Sequence, residues 1–543
     1  MTVTAPPGTD PGTSGSRLGA PGVGFGRLVR AEWTKLRSVP RWGLIMLAAV
    51  GLTILVSLLS ASSSSFQASP AASPPIGPDG GQVMDTFRFV HQPLTGDGTI
   101  TARVRGLTAV EGPRHPWAKA GVMVKDGTTP GARYAAMLYT PGHGVRWQTN
   151  FVVDSAGGIT GGEPWLRLTR AGGTVTGYES TDGTAWREVG SVELAGLPAT
   201  AEVGIFVASP HADRVERQFN GTSVSSTPTW STARFDNVGV RSATGQQPAN
   251  WTDEAIGMAE QRKPGVPGGG RVAPEAPEGP EGPDTPAGLD GPAIPPAALV
   301  SGVPDAAGAS TVTGTGDVAP RAVDEDLTRM SLSGALIGLM PIVALGALFI
   351  TAEYRRGMIR TTFAASPRRS RVVLAKAVVV AGVTFLVGLV TCVTAFLVTQ
   401  PSQRDSGFVP PLFPDRSLTD WPVARAVVGT ALVLALVAAF SLALGAILRR
   451  SAGAITLVVL LMVLPQMVAG ALPLTAARWM MRLLPSAGFS IQQTNPRYAH
   501  VSTVCLPETG CLPDSPWLGL AVLAGYVAVA VAAACWLVRR RDA

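Results

Sequence analysis

Charged side chains are scarce in this chain. Asp, Glu, Lys and Arg make up 15% of its 543 residues, against about 25% in an average soluble domain. A phosphate-binding loop of the form G-x-x-x-x-G-K-[ST] is absent, which excludes ATP binding by that route. There is no H-E-x-x-H pair and no nucleophile elbow, and no two carboxylates are convincingly placed for glycoside hydrolysis. The chain is therefore expected not to be an enzyme and to bind no cofactor of its own. Net charge is +7, yet no basic stripe interleaved with aromatics occurs in a soluble segment, so nucleic acid is not an expected partner. Cysteines number four. Cys392 and Cys535 lie in apolar stretches and read as small packing residues. Cys505 and Cys511 bound the sequence C-L-P-E-T-G-C. They form either a small disulfide loop facing an oxidising exterior or a pair of free thiols.

What the chain has in quantity is long apolar runs. Six stretches, at 42–60, 332–352, about 372–398, about 423–448, about 455–474 and 517–538, are each near the roughly 20 residues that cross a bilayer as a helix. A helix apolar all round has no stable place in water outside a large core, and six of them fit lipid better. Ahead of the first run, Arg27, Arg30, Lys35, Arg37 and Arg41 alternate with Leu28, Val29, Trp33 and Leu36. At helical spacing this predicts an amphipathic helix on the inner membrane surface. Residues 1–24 are rich in Gly, Pro, Ser and Thr and are expected to be a disordered tail.

Arginine placement predicts the topology. Basic clusters precede the first run, join the second to the third (Arg355, Arg356, Arg360, Arg368, Arg369, Arg371), join the fourth to the fifth (Arg449, Arg450) and follow the sixth (Arg539, Arg540, Arg541). These four segments alternate onto one side, which the positive-inside rule makes the cytoplasm of a multi-pass plasma-membrane protein. Both termini are then cytoplasmic and residues 61–331 outside. The rival reading treats the first run as a cleaved secretory signal, with S-A-S-S-S-S after it. The long basic tail favours a retained anchor, and the external segment lies outside either way. Lys376 and Arg425, near span ends, are expected to snorkel toward the interface. Pro341, Pro465 and Pro473 are candidate kinks. Residues 474–490, with Trp479, Met480, Leu483 and Leu484 on one side, predict an interfacial helix on the outer surface.

Between the first two runs the pattern changes. After a linker at 61–82, residues 83–241 carry short alternating strands bounded by D-G, G-G and P-G turns, which indicates an antiparallel β-sandwich. The pieces A-G-V-M-V-K-D (120–126), W-L-R-L-T-R (165–170), S-T-D-G-T-A-W (180–186), V-G-I-F-V-A-S (203–209) and A-R-F-D-N-V-G-V (233–240) resemble the concanavalin A-like, laminin-G-like jelly-roll family. That resemblance implies fold and leaves function open, because such sandwiches bind sugars, bind proteins or act as spacers. Trp186 is expected to close a hairpin in the core. Trp117 and Trp147 are candidate sugar-stacking residues, with plain packing as the alternative. Asp236 and Asn237 are a weak candidate for calcium. Residues 242–331, rich in Pro, Gly and Ala, read as a disordered, flexible tether to the second span.

The fold class expected is thus a six-span α-helical membrane bundle with an all-β antiparallel jelly-roll sandwich inserted between spans one and two. Within the membrane part, A-E-W-T-K-L-R (31–37), E-Y-R-R-G-M-I-R-T-T (353–362) and L-P-S-A-G (484–488) resemble the permease subunits of type-2 ABC exporters. The resemblance covers residues 25–60 and 327–543. It implies a dimer of permeases, homo- or heteromeric, driven by a separate ATPase on the cytoplasmic face, with ATP held by that partner. Glu353, Tyr354, Arg355, Arg356, Gly357 and Arg360 are the candidate coupling segment, read as one short helix from Glu353. Glu32, Trp33, Lys35 and Arg37 are the candidate interface helix. Glu353 is expected to pair with Arg356, Arg360 or a basic residue of the partner. The plainer reading is that these arginines only set topology and touch anionic lipid. The inserted sandwich departs from the short loop usual in that family and leaves the substrate open. A second function class competes: a membrane-anchored protein whose sandwich binds glycan or a partner, without transport.

Overall fold

In the computed structural model, residues 24–63, 74–218, 221–243, 250–257, 301–321, 325–365, 368–410, 413–501, 504–507 and 511–540 are described. The expected N-terminal tail and the stretch 258–300 lie outside them. The helices are α1 (Phe25–Ser38), α2 (Pro40–Ser63), α3 (Leu327–Ser331), α4 (Ala335–Arg355), α5 (Met358–Ala365), α6 (Arg369–Asp405), α7 (Trp421–Leu448), α8 (Ser451–Met462), α9 (Leu464–Val468), α10 (Leu474–Leu483) and α11 (Pro516–Arg540).

Among the described residues, five helices are long and apolar enough to cross a membrane: α2, α4, α6, α7 and α11. The fifth expected span is not one straight helix. Ser451–Met462 and Leu464–Ala471 meet at a 40° bend, and Pro465 stands at the start of the second piece. Proline has no N–H to give and its ring crowds the carbonyl four residues back, so the ladder breaks there. The expected helix at 474–490 also divides. It ends at Leu483, with Trp479 and Leu483 exposed, and residues 485–492 form a tight, buried 3-10 segment against α11.

Small residues set the helix spacing. A Cβ at Gly338 would lie 1.8 Å from Thr53 Oγ1, and one at Gly334 would lie 2.0 Å from the Thr53 carbonyl oxygen. Gly334, the N-cap of α4, and Gly338 in its first turn let α2 approach closely, as small residues do where helices pack in lipid. Thr53 is itself satisfied, donating to the Ala49 carbonyl at 2.8 Å.

The strands are β1 (Val83–Asp85), β2 (Phe87–Thr95), β3 (Gly98–Ala109), β4 (Lys119–Lys125), β5 (Tyr134–Thr140), β6 (Gly144–Thr149), β7 (Val153–Ala156), β8 (Trp165–Ala171), β9 (Thr174–Ser180), β10 (Arg187–Glu193), β11 (Thr200–Ala208), β12 (Ala212–Gln218), β13 (Gly221–Thr227), β14 (Ser231–Ser242), β15 (Thr252–Ile256), β16 (Ser310–Gly314) and β17 (Val318–Pro320). Two antiparallel sheets face each other. One runs β10-β9-β8-β3-β14-β16, the other β15-β2-β11-β4-β5-β6-β7. Apolar side chains alternating along β3, β4, β8 and β11 meet between them, among them Val104, Val122, Leu168 and Ile205.

The sandwich does not end at 241. β15 and β16 come from the stretch expected to be a disordered linker and pair with β2 and β14. β17 pairs with β1 in a small ribbon that lies over the far side of the seven-stranded sheet, where Val83 and Val318 pack with Met123, Phe87 and Phe206. β4 is consequently buried on both faces. The chain segments entering and leaving the sandwich are thereby fastened to it.

Candidate functional site

α1 enters the bundle with Glu32 and Leu36 turned inward and Trp33 and Arg37 outward. The residues three apart that a helix places on one face are Glu32 and Lys35. The C-terminal end of α4 delivers Glu353 to the same place, and the first turns of α6 deliver Lys376. Lys376 Nζ lies 2.6 Å from Glu32 Oε2 and 2.7 Å from Glu353 Oε1. Lys35 Nζ lies 2.8 Å from Glu32 Oε1 and 3.2 Å from Glu353 Oε1. The four side chains close a ring in which acid and base alternate and the net charge is zero.

Lys376 is completely buried and sits 4.8 Å from the centre of the Phe349 ring. A buried ammonium persists only when paired, because desolvation otherwise drives it to lose its proton. It does not snorkel, as its position near a span end suggested. Two carboxylates from distant parts of the chain hold it inward. Lys35, at the rim, is partly exposed. Burial works to lower its pKa, but the Glu32 and Glu353 carboxylates outweigh that and raise it above the ordinary value.

The coupling segment expected as one helix from Glu353 is two pieces. α4 carries Glu353, Tyr354 and Arg355; Arg356 caps it; Gly357 turns with φ +67°; α5 then starts at Met358. Only glycine adopts that φ at little cost. Glu353 pairs with Lys376 and Lys35, in place of the expected Arg356 or Arg360. Arg355 and Arg356 are exposed, while the Arg360 side chain lies outside the described residues. A second basic patch adjoins this end: Arg368, Arg369, Arg371 and Arg539 line an open cleft with Ser370, whose hydroxyl accepts from Arg539 at 3.1 Å.

On the sandwich, the candidate sugar-stacking tryptophans are inside. Trp147 is buried between the sheets. Gly177 and Gly190 make room for it, since a Cβ on either would come within 2.5 Å of the indole. Trp117 is buried and stacks on His143 at 3.7 Å between ring centres. Trp186 is half-exposed and closes its turn by donating from Nε1 to the Gly183 carbonyl at 3.1 Å, with Arg167 over its ring; it is not core. Asp236 faces Arg105 at 3.4 Å and accepts from Asn237 at 3.1 Å, and no group of three His, Cys, Asp or Glu suited to a metal occurs among the described residues. Cys505 and Cys511 are joined as a disulfide, with Cα atoms 5.1 Å apart. Arg425 reaches the Gln493 carbonyl.

Sequence reasoning missed the two ion pairs that fasten the sandwich. Lys125 meets Asp85 at 2.7 Å and Lys119 meets Asp317 at 2.6 Å, all four buried. Each joins β4 to a chain segment that leads to the bundle.

The molecule is therefore a multi-helix chain with membrane-length apolar helices and an inserted two-sheet β domain. No protein-family model matches it, and no curated protein does. Solved structures similar to part of it include a functionally unknown protein from Saccharomyces cerevisiae, 18% identical over 28% of this chain and 74% of that one, with a TM-score of 0.17. The eqolisin-family peptidase SCP-B, in complex with a tripeptide, is 14% identical over 32% and 88%, with a TM-score of 0.20. Scytalido-glutamic peptidase with a transition-state analogue inhibitor is 14% identical over 32% and 89%, with a TM-score of 0.21. At those scores the likenesses carry no argument about function.

Proposed function

We propose that this chain is the membrane-spanning permease subunit of an ATP-driven exporter of the type-2 ABC kind, powered by a separate ATPase docked at the end that carries α1 and α5. The observation that carries the reading is the four-charge ring. The two segments that resemble the permease family, 31–37 and 353–362, are far apart in sequence, yet Glu32, Lys35 and Glu353 from them share one buried ion cluster with Lys376 of α6. A push on α1 or on the Gly357 turn is thereby passed to two spans at once. Low local dielectric makes such a cluster stiff, and breaking it leaves buried charge unpaired.

On this reading six spans cross the plasma membrane, α8 and α9 forming one broken span. The arginine clusters hold the α1 end and both termini in the cytoplasm, and two permeases, alike or different, form the pore. The sandwich stands outside as a concanavalin A-like jelly roll that meets glycan or cargo at the exit. Burial of Trp117 and Trp147 removes both of the aromatics on which a purely glycan-binding role rested.

The test is to purify the tagged full chain in mild detergent from its native cells and identify what travels with it. The reading expects an ATPase with a phosphate-binding loop at a fixed ratio to the permease. Recovery of the chain with no nucleotide-binding protein, or a reporter on the sandwich accessible only from the cytoplasm, would overturn it.

A further inference from the structure

Two side chains inside the sandwich are placed as reactants. Asp85 is the last residue of β1 and Lys125 the last of β4. Both side chains are 0% exposed, and Lys125 Nζ lies 2.7 Å from Asp85 Oδ2. The fully buried rings of Phe87, Tyr134 and Phe151 stand around the nitrogen, their centres 6.0, 5.9 and 5.7 Å away. Charge is costly in such a dry, apolar place. Burial pushes the Asp85 carboxyl above its ordinary range and the Lys125 ammonium below its own, and their mutual attraction offsets this only in part. Both shifts favour the uncharged acid and amine.

The hydrogen bonds around the pair suit an amide better than an ion pair. An ammonium brings three donors, and a carboxylate brings two acceptor oxygens. Besides Asp85, Lys125 Nζ finds one acceptor, the Ala132 carbonyl at 3.1 Å. Asp85 Oδ2 accepts from Lys125 Nζ and from Gly131 N, each at 2.7 Å. Asp85 Oδ1 is buried with no hydrogen-bond partner among the described residues, which is costly for a charged oxygen. An amide between Nζ and Cγ has one N–H, for the Ala132 carbonyl, and one oxygen, for the Gly131 N–H, with nothing left over. Lys119 and Asp317, 2.6 Å apart, differ in this respect: no oxygen of Asp317 is buried without a partner.

We propose that Lys125 and Asp85 join in an intramolecular isopeptide bond, which the folded chain forms without an added reagent. The Nζ lone pair of the neutral amine attacks Cγ of the protonated carboxyl, and the C–N bond forms. The negative charge that develops on Oδ2 meets the Gly131 N–H, already aimed at it. A proton passes from Nζ to Oδ1, the Cγ–Oδ1 bond breaks and Oδ1 leaves as water. The double bond to Oδ2 is restored, and nothing is oxidised or reduced. Fixed positions make such a condensation fast, and a closed apolar site keeps water from reversing it. The product ties β1 covalently to β4, so the segment that leads from the helices into the sandwich is held by a bond as well as by packing. This inference stands whether or not the chain transports.

The experiment is peptide mass mapping of the purified full chain, denatured, reduced and digested with trypsin. Wild type is expected to give a branched peptide that joins the Asp85 segment to the Lys125 segment. Its mass should be the sum of the two less one water, with no cut after Lys125 and with fragment ions placing the link at these two residues. Lys125→Arg keeps the positive charge but has no amine to attack, and Asp85→Ala has no carboxyl; each should lose the branched peptide. On a denaturing gel both variants should run apart from wild type, whose chain remains looped between residues 85 and 125. If neither variant folds, the wild-type map decides alone. Separate, linear Asp85 and Lys125 peptides from wild type, with trypsin cutting after Lys125, would overturn the proposal. So would a water lost within the Asp85 peptide alone, which is a succinimide with Thr86.

Discussion

Lysine is rare here, five against thirty-nine arginines, and three of the five, Lys119, Lys125 and Lys376, are completely buried. Arginine holds the surface and lysine the interior pairs, where a compact ammonium fits between carboxylates. Removing one partner of such a pair strands a charge. Lys376→Met should therefore destabilise the detergent-solubilised protein by about 3–5 kcal/mol, read as a lowered Tm. Adding Glu32→Gln and Glu353→Gln to it should recover part of the loss, since no buried charge is then unpaired. A triple variant no more stable than the single one would sink the ring as a structural unit. Position near a span end made Lys376 look like a snorkelling residue. The carboxylates that turn it inward lie 344 and 23 residues away, and no local pattern reports that.

A second residue-scale case depends on pH. Asp154 in β7 accepts from Gln148 at 2.9 Å and is paired with Arg146. Burial alone would raise its pKa, but those partners outweigh burial and hold the carboxyl below its ordinary value of 3.8. A folded pKa below the unfolded one gives stability that is complete above the unfolded value and is lost as pH falls through it toward the folded one. Thermal melts of the sandwich should thus fall more steeply below about pH 4 in wild type than in Asp154→Asn. Parallel curves would show that Asp154 makes no such contribution.

At the scale of elements, close packing of α2 on α4 rests on Gly334 and Gly338. Gly338→Val should cost about 1–3 kcal/mol by overpacking, seen as a lower Tm with α2 exposed to protease. An unchanged Tm would mean the helices separate freely. The Cys505–Cys511 loop is short, and the chain-entropy estimate for closing it is about 2 kcal/mol. Cys505→Ser should increase hydrogen exchange in residues 504–507 and 511–512 while leaving α11 protected. Apolar length and arginine spacing made the straight helices legible. The bent helix pair at 451–471 was half legible, because Pro465 was visible while the direction of the bend depends on neighbours. The split at Leu484 was not visible, since residues 485–492 are buried by α11 and carry no helical periodicity of their own.

For the whole molecule, composition misled in one place. The stretch 242–331 is rich in Pro, Gly and Ala, and reads as a flexible tether. Its strands β15, β16 and β17 are short and pair with partners that precede them by more than 60 residues, so nothing local marks them. With β1 and β17 locked onto β4 through Asp85 and Asp317, the sandwich is seated on the bundle. His500, in the connection before α11, adds a 2.9 Å hydrogen bond to the Phe151 carbonyl, and Arg217 of the β12–β13 hairpin reaches the Ala469 carbonyl at 2.8 Å. Asp85→Asn with Asp317→Asn should loosen this seat. Paired spin labels on the sandwich and on α11 should then give a broadened distance distribution where wild type gives a narrow one. A narrow distribution in both would show that the two lysine pairs do not hold the domain.

The measurement that bears most directly on the proposed function is ATP hydrolysis by this chain purified together with its proposed ATPase partner in nanodiscs, wild type against Lys376→Met, at equal complex. If the charge ring passes force between partner and spans, the variant should retain the ATPase but lose its transport-linked hydrolysis by about tenfold, roughly 1.4 kcal/mol of coupling. Unchanged hydrolysis in an intact assembly, or an assembly that hydrolyses no ATP in wild type, would contradict it.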